Sequence, residues 1–164
     1  MQRSIRLLLL ALVATSCSAT PVPDDFRFII SAGAMHPAWP HSWAQIDAAG
    51  HGSCRHWSSA LIDRKTLDSL EFEMSKESVA RLWGAVERNH FFQRRSHLPD
   101  GRMQHGGYLS IWVVARGDTH DVTDYQVPVR PLVSILETMN QVVPERARIP
   151  APFFRLVTGT IRIR

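Results

Sequence analysis

Hydrophobic and polar positions alternate with a period of two over several short stretches of the chain and with a helical period over two longer ones. Phe26, Phe28 and Ile30, separated by Arg27 and Ile29, predict a first strand, which Ser31-Ala32-Gly33 is expected to end. The segment Met35-His36-Pro37-Ala38-Trp39-Pro40-His41 contains two prolines that cannot donate to a ladder, so an ordered loop is expected there. Strands follow over 43–48 and 53–59, with Gly50-His51-Gly52 turning the chain between them. Residues 60–69 read as a loop. Leu70, Phe72 and Met74 then alternate with Glu71 and Glu73, a short strand with one wet face.

The next helix has the clearest start in the chain. Ser75 suits the N-cap, Glu77 the first turn, and Met74 and Val79 the two positions of a hydrophobic staple. Val79, Leu82, Trp83 and Val86 recur at helical spacing, and the helix is expected to end near Asn89 or His90, with Phe91 and Phe92 anchoring the exit. Residues 93–107, with Pro99-Asp100-Gly101 and Gly106-Gly107, form a turn-rich loop. Tyr108 to Arg116 is apolar on both faces, the signature of a central strand, and this places Trp112 in the core beside Trp83. Gly117-Asp118 is the expected hairpin turn into a returning strand over 119–127. Pro131 opens a last helix whose apolar face is Leu132, Ile135, Leu136, Met139, Val142 and Val143, and Pro144 stops it. The period-two end Thr160 to Arg164 is a candidate edge strand. This order predicts one α+β domain over 26–164: a mainly antiparallel sheet with two helices packed on one face.

Composition narrows the class. At 164 residues, with 45% hydrophobic and 21% charged positions, the chain suits one folded domain and argues against wholesale disorder. Arg3 and Arg6 precede the apolar run Leu7 to Val13, and Ala14-Thr15-Ser16 leads into Cys17, the order of a secretory signal. The run Ala14-Thr15-Ser16-Cys17 resembles the lipobox of bacterial lipoproteins, although Ala14 stands where Leu is preferred. The resemblance implies that residues 1–16 are removed and that Cys17 carries the lipid, palmitate among its acyl chains, as a membrane anchor. Residues 17–25 then form a short tether, and Ser18 in place of Asp favours the outer membrane facing the periplasm. Plain secretion and a retained anchor are the alternatives. With Cys17 lipidated, Cys54 is left alone and no intramolecular disulfide forms; otherwise the two can pair.

The element order, with Phe91-Phe92 closing the first helix and Asp124-Tyr125 preceding a proline and the last helix, resembles a domain-of-unknown-function family of small bacterial envelope lipoproteins. The likeness spans roughly residues 26–143 and implies the fold and the envelope placement, with no activity attached. In that family a segment containing Gly and Cys often follows the first strand, whereas Ser31 to Trp43 carries His, Pro and Trp and no Cys.

Charge excludes one partner class. Removing residues 1–16 takes two arginines from 19 basic residues against 15 acidic ones and leaves a net +2, with no concentrated basic patch for nucleic acid. The densest polar cluster is His36, His41, His51, Cys54 and His56, side chains that ligate zinc or copper, with Cys54 and His56 on one side of a strand. Cys54 is also a candidate nucleophile if His51 or His56 activates it and Asp47 orients the imidazole. Trp39, Trp43 and Trp57 form a candidate recognition surface, because indole rings stack on sugars and peptides and are enriched at interface centres. The sequence has no G-x-S-x-G elbow, phosphate loop or dinucleotide fingerprint. The expected role is noncatalytic and without a cofactor: an accessory or binding lipoprotein acting on an envelope protein, peptidoglycan or a small ligand. The alternative is a metal-binding protein or metal-dependent hydrolase built on the cluster between residues 36 and 56.

Overall fold

Strand β1 (Arg27–Ala34) pairs antiparallel on one edge with β2 (His41–Asp47) and on the other with β5 (Gly107–Ala115). β3 (His51–Trp57) and β4 (Asp68–Glu73) extend the sheet beyond β2, and β6 (Asp118–Tyr125) closes the far side. The result is a six-stranded, wholly antiparallel sheet in the order β4-β3-β2-β1-β5-β6. Two helices, α1 (Lys76–Arg88) and α2 (Arg130–Val142), and the short 3-10 turns Phe91–Gln93 and Glu145–Ala147 complete the fold. The computed structural model describes residues 20–34, 41–57, 68–96, 107–125 and 130–149. The signal segment, Cys17, His36, Trp39, the turn at 99–101 and the candidate edge strand at 160–164 lie outside them. No described helix is long and apolar enough to cross a membrane.

Antiparallel register lines the strands up into rows, and each row belongs to one face. Leu70, Cys54, Ala44, Ile30, Ile111 and Val122 form one such row, running across all six strands. Phe28, Ile46 and Val113 belong to the next, on the same face, and all three are buried. Val79, Leu82, Trp83 and Val86 of α1 and Leu132, Ile135, Leu136 and Met139 of α2 complete this core. Each large apolar side chain removed from water contributes about 1.5–3 kcal/mol before entropy is counted, so the covered face carries most of the stability. Trp83 sits at the junction of strand and helix, edge-on to Phe26 at 5.4 Å and to Phe92 at 6.4 Å, with the Arg116 guanidinium 5.2 Å over its ring.

The local signals around α1 act as expected. Ser75 Oγ accepts from the Ser78 amide at 3.1 Å, Met74 and Val79 are both buried, and Asn89 is the C-cap, followed by His90 in the left-handed region at φ 50. Several expectations change. His41 leaves the proline loop and opens β2 with Ser42, His51 and Gly52 open β3 instead of turning the chain, and Asp68 and Ser69 belong to β4 instead of the loop before it, because each is paired in the ladder with a neighbouring strand. The small residues Ser31, Ala32 and Gly33 do not end β1, because both neighbouring strands hydrogen-bond through them. The β5–β6 turn is Arg116-Gly117 rather than Gly117-Asp118, with φ 58 and 79, and the Asp25 carboxylate accepts both of its amides at 2.7 Å. Those bonds hold the Asp25 carboxyl below the ordinary carboxylate range. Trp112, expected in the core, lies on the opposite face from Ile111 and Val113 and is only half-buried. Both faces of β5 are apolar in sequence, so periodicity could not say which one the helices cover.

Gly50, between β2 and β3, has φ 94, and a Cβ there would collide with the Met74 carbonyl oxygen, whose own amide donates to Gly50 O at 2.8 Å. Gly50→Ala is expected to destabilise the fold by more than about 1 kcal/mol in a denaturant titration, since both the backbone angle and the space exclude a side chain.

Candidate functional site

Among the described residues no element packs on the second face of the sheet, and its rows have a different chemistry. One row reads Glu71, Ser53, Gln45, Ile29, Trp112 and Asp121 from β4 to β6. The next reads Ser69, Arg55, Trp43, Ser31, Ser110 and Thr123. A third places His41 beside Gly33, then Tyr108 and Tyr125. Gly33 has no room for a Cβ because the His41 imidazole lies across it. The His41 ring is 6.3 Å from Tyr108, which is 6.4 Å from Tyr125, so this end of the face is an aromatic ledge.

Polar side chains on this face are tied to one another. Thr123 Oγ1 donates to Ser110 Oγ at 2.9 Å, Ser31 Oγ and the Tyr108 hydroxyl are 3.1 Å apart, and the Arg55 guanidinium lies 5.9 Å over the Trp43 ring. A shallow open groove of about 700 Å3 runs along the other end, lined by Arg27, Ile29, Gln45, Ser53, Glu71 and Trp112 among others. Trp43, Trp112, Tyr108 and Tyr125 are each half-buried.

The predicted His/Cys cluster is divided by the sheet. His41 and His51 belong to the helix-free face, whereas Cys54 and His56 belong to the covered one, as their shared parity requires. Cys54 is fully buried, and burial pushes its thiol above the ordinary value against a smaller opposing effect of a backbone hydrogen bond from Leu70. His56 spends both nitrogens on structure: Nδ1 is 2.9 Å from the buried Ser42 hydroxyl, and Nε2 donates to the Arg146 carbonyl at 3.2 Å. Among the described residues no group of three or more His, Cys, Asp or Glu side chains is placed to hold a metal ion. Of the three tryptophans, Trp43 lies on the helix-free face, Trp57 pairs with His41 in register, and Trp39 is outside the described residues. Trp112, the strongest addition to that surface, was hidden by the apolar character of its strand.

Asp47 does orient His51, but on the far side of the sheet from the thiol it was expected to serve. The His51 amide donates to Asp47 Oδ1 at 2.9 Å, Nδ1 meets Asp47 Oδ2 at 3.1 Å, and Nε2 faces Glu73 at 3.7 Å. The Asp47 hydrogen bond first, then the charge of Glu73, raises the imidazole above its ordinary 6.5. Desolvation is the largest single influence on Asp47 and pushes it up, yet the hydrogen bonds and charge of His51 and the Ala49 amide, taken together, hold the carboxyl below its ordinary value. His41 shifts the other way: burial holds it below 6.5.

Compared with known proteins, no family model matches the chain and no curated protein is significantly similar to it. In an NMR pH titration His51 is expected to titrate above 6.5, and Asp47→Asn to bring it down further than Glu73→Gln does. Because the folded value is raised, the stabilisation His51 supplies is complete below the unfolded-state pKa and lost as pH climbs through the folded one. Cys54 is expected to resist a thiol reagent in the native protein at pH 8 and to react fully once the fold is denatured.

Proposed function

We propose that this chain is a noncatalytic binding lipoprotein of the bacterial envelope, related to the small lipoproteins its element order resembles. Cys17 anchors it to the outer membrane, and the helix-free face of the sheet receives an envelope partner. The observation that carries this reading is that half-buried Trp43 and Trp112 share a face no described element covers, beside an open groove lined in part by Trp112. Large amphipathic rings on a broad surface supply binding area at low conformational cost, and a monomer gains nothing from leaving them wet. The run of Arg3, Arg6, the apolar Leu7 to Val13 and Cys17 supports the anchor. The metal-dependent alternative is the weaker reading, since the sheet separates the described members of its ligand set.

Metabolic labelling with palmitate is expected to mark the full-length protein and to fail for Cys17→Ala, which should also leave the membrane fraction. Crosslinking of the anchored protein in its own cells is expected to capture an envelope component that a Trp43→Ala/Trp112→Ala double variant loses. Failure to label would remove the anchor, and identical capture by the double variant would remove the face.

A further inference from the structure

We propose that the outer edge of β4 is a strand-acceptor site and that its occupant is the chain's own segment Thr160–Arg164, added to the six-stranded sheet as a further strand. Among the described residues β4 is the last strand on its side and pairs with β3 alone, so alternate N–H and C=O groups along it point outward without a ladder partner. The two faces of that edge differ in chemistry. On the covered side stand Leu70 and Phe72, half-buried against the core, although Cys54 and Ala44 further along the Leu70 row are sealed. On the helix-free side stand Glu71 and Glu73, both exposed. A strand that completes this edge needs apolar side chains at one parity, to continue the core, and basic ones at the other, to face the two carboxylates.

The end of the chain has that pattern. Residues 150–164 carry Arg155, Arg162 and Arg164 and no acidic residue, and isoleucine and arginine alternate in Thr160-Ile161-Arg162-Ile163-Arg164. Laid along β4 in either direction, Ile161 and Ile163 adjoin Leu70 and Phe72 while Arg162 and Arg164 adjoin Glu71 and Glu73; the opposite parity would set arginines against the core. The chain also leaves the folded body on the side of β4. The turn Glu145–Ala147 packs against β3 and β4, His56 Nε2 donates to the Arg146 carbonyl at 3.2 Å, and the Asn140 side chain holds both backbone groups of Ile149 at 3.0 and 3.3 Å. From there residues 150–159 span up to roughly 33 Å, more than the roughly 20 Å length of β4. The other edge matches less well: β6 places His120 and Asp124 on its covered side, and its Thr123 amide already donates to Ser96 Oγ at 3.0 Å. The β4 edge of a second copy would set Glu71 and Glu73 against like charges.

Hydrogen exchange read by mass spectrometry on the full chain, and on one ending at Gly159, tests this. The peptide covering 68–74 is expected to exchange about tenfold faster in the truncated chain and in Arg162→Glu/Arg164→Glu. Protection is expected to return when Glu71→Arg/Glu73→Arg is added to the latter, a rescue that a merely loosened fold would not show. Peptides from β1 and α1, exchanging alike in all of these chains, report an intact core; should truncation loosen them too, the charge-reversal pair decides alone. Equal exchange of β4 in the full and truncated chains, indifference to charge reversal, or failure of the double reversal to rescue overturns the proposal. Protection that grows with protein concentration places the segment on a second copy and overturns the assignment within one chain. None of these outcomes involves an envelope partner, so failure here leaves the binding role of the helix-free face where it stands.

Discussion

Strand β1 is hydrogen-bonded along both edges, and its alternation decides which side chains of the whole sheet meet the helices. Phe28, Ile30 and Ala32 point to the covered face, and Arg27, Ile29 and Ser31 to the other. A slip of one residue against either neighbour would exchange these sets, wetting two of the largest core side chains and burying an arginine. The cost fixes one register, and the remaining strands inherit it through the pairs β2–β3–β4 and β5–β6. Immediately before β1, Phe26 packs on Trp83 and Asp25 caps the β5–β6 turn, so the entry to the strand is held as firmly as its length.

Among the described residues, cover on one side of the sheet follows from this arrangement. Both helices present a single apolar stripe, and among the described residues the continuous apolar face they bury it against is the one made by Ile30, Ile111, Phe28 and their row neighbours. Stability is thereby concentrated on one side of the sheet. The other side is left with a looser demand, to remain soluble, and can carry Trp43, Trp112 and the tyrosine ledge without cost to the core. The binding role proposed for this chain uses that freedom: the covered face supplies a rigid platform, and short strands hold the exposed rings at spacings set by the ladder.

The same division explains why chemistry that is dense along the chain is dispersed in space. His51, Cys54 and His56 fall within six consecutive residues, yet a strand sends odd and even positions to opposite faces. His51 consequently finds Asp47 and Glu73 in water, while Cys54 is sealed under the helices and His56 ties the sheet to the turn at Glu145–Ala147. Proximity in sequence would have brought these groups together on a loop; on a strand it separates them.

Much of the architecture was legible from residue order alone. Periodicity over 70–74, the cap and staple at Met74, Ser75 and Val79, and the apolar stripes of both helices identify an α+β domain with an antiparallel sheet, because these are local signals with local causes. Ser31 to Gly33 read as a strand end, because a run of small residues looks like a terminus until two partner strands run past it. Trp112 read as core, because both faces of β5 are apolar and periodicity ranks neither. Which face the helices cover, where β1 stands between β2 and β5, and which tryptophans share a surface were decided by tertiary structure. Those features depend on pairings among residues far apart in the chain, and the hydrophobic energy that selects among them exists only when the strands are assembled and one face is buried.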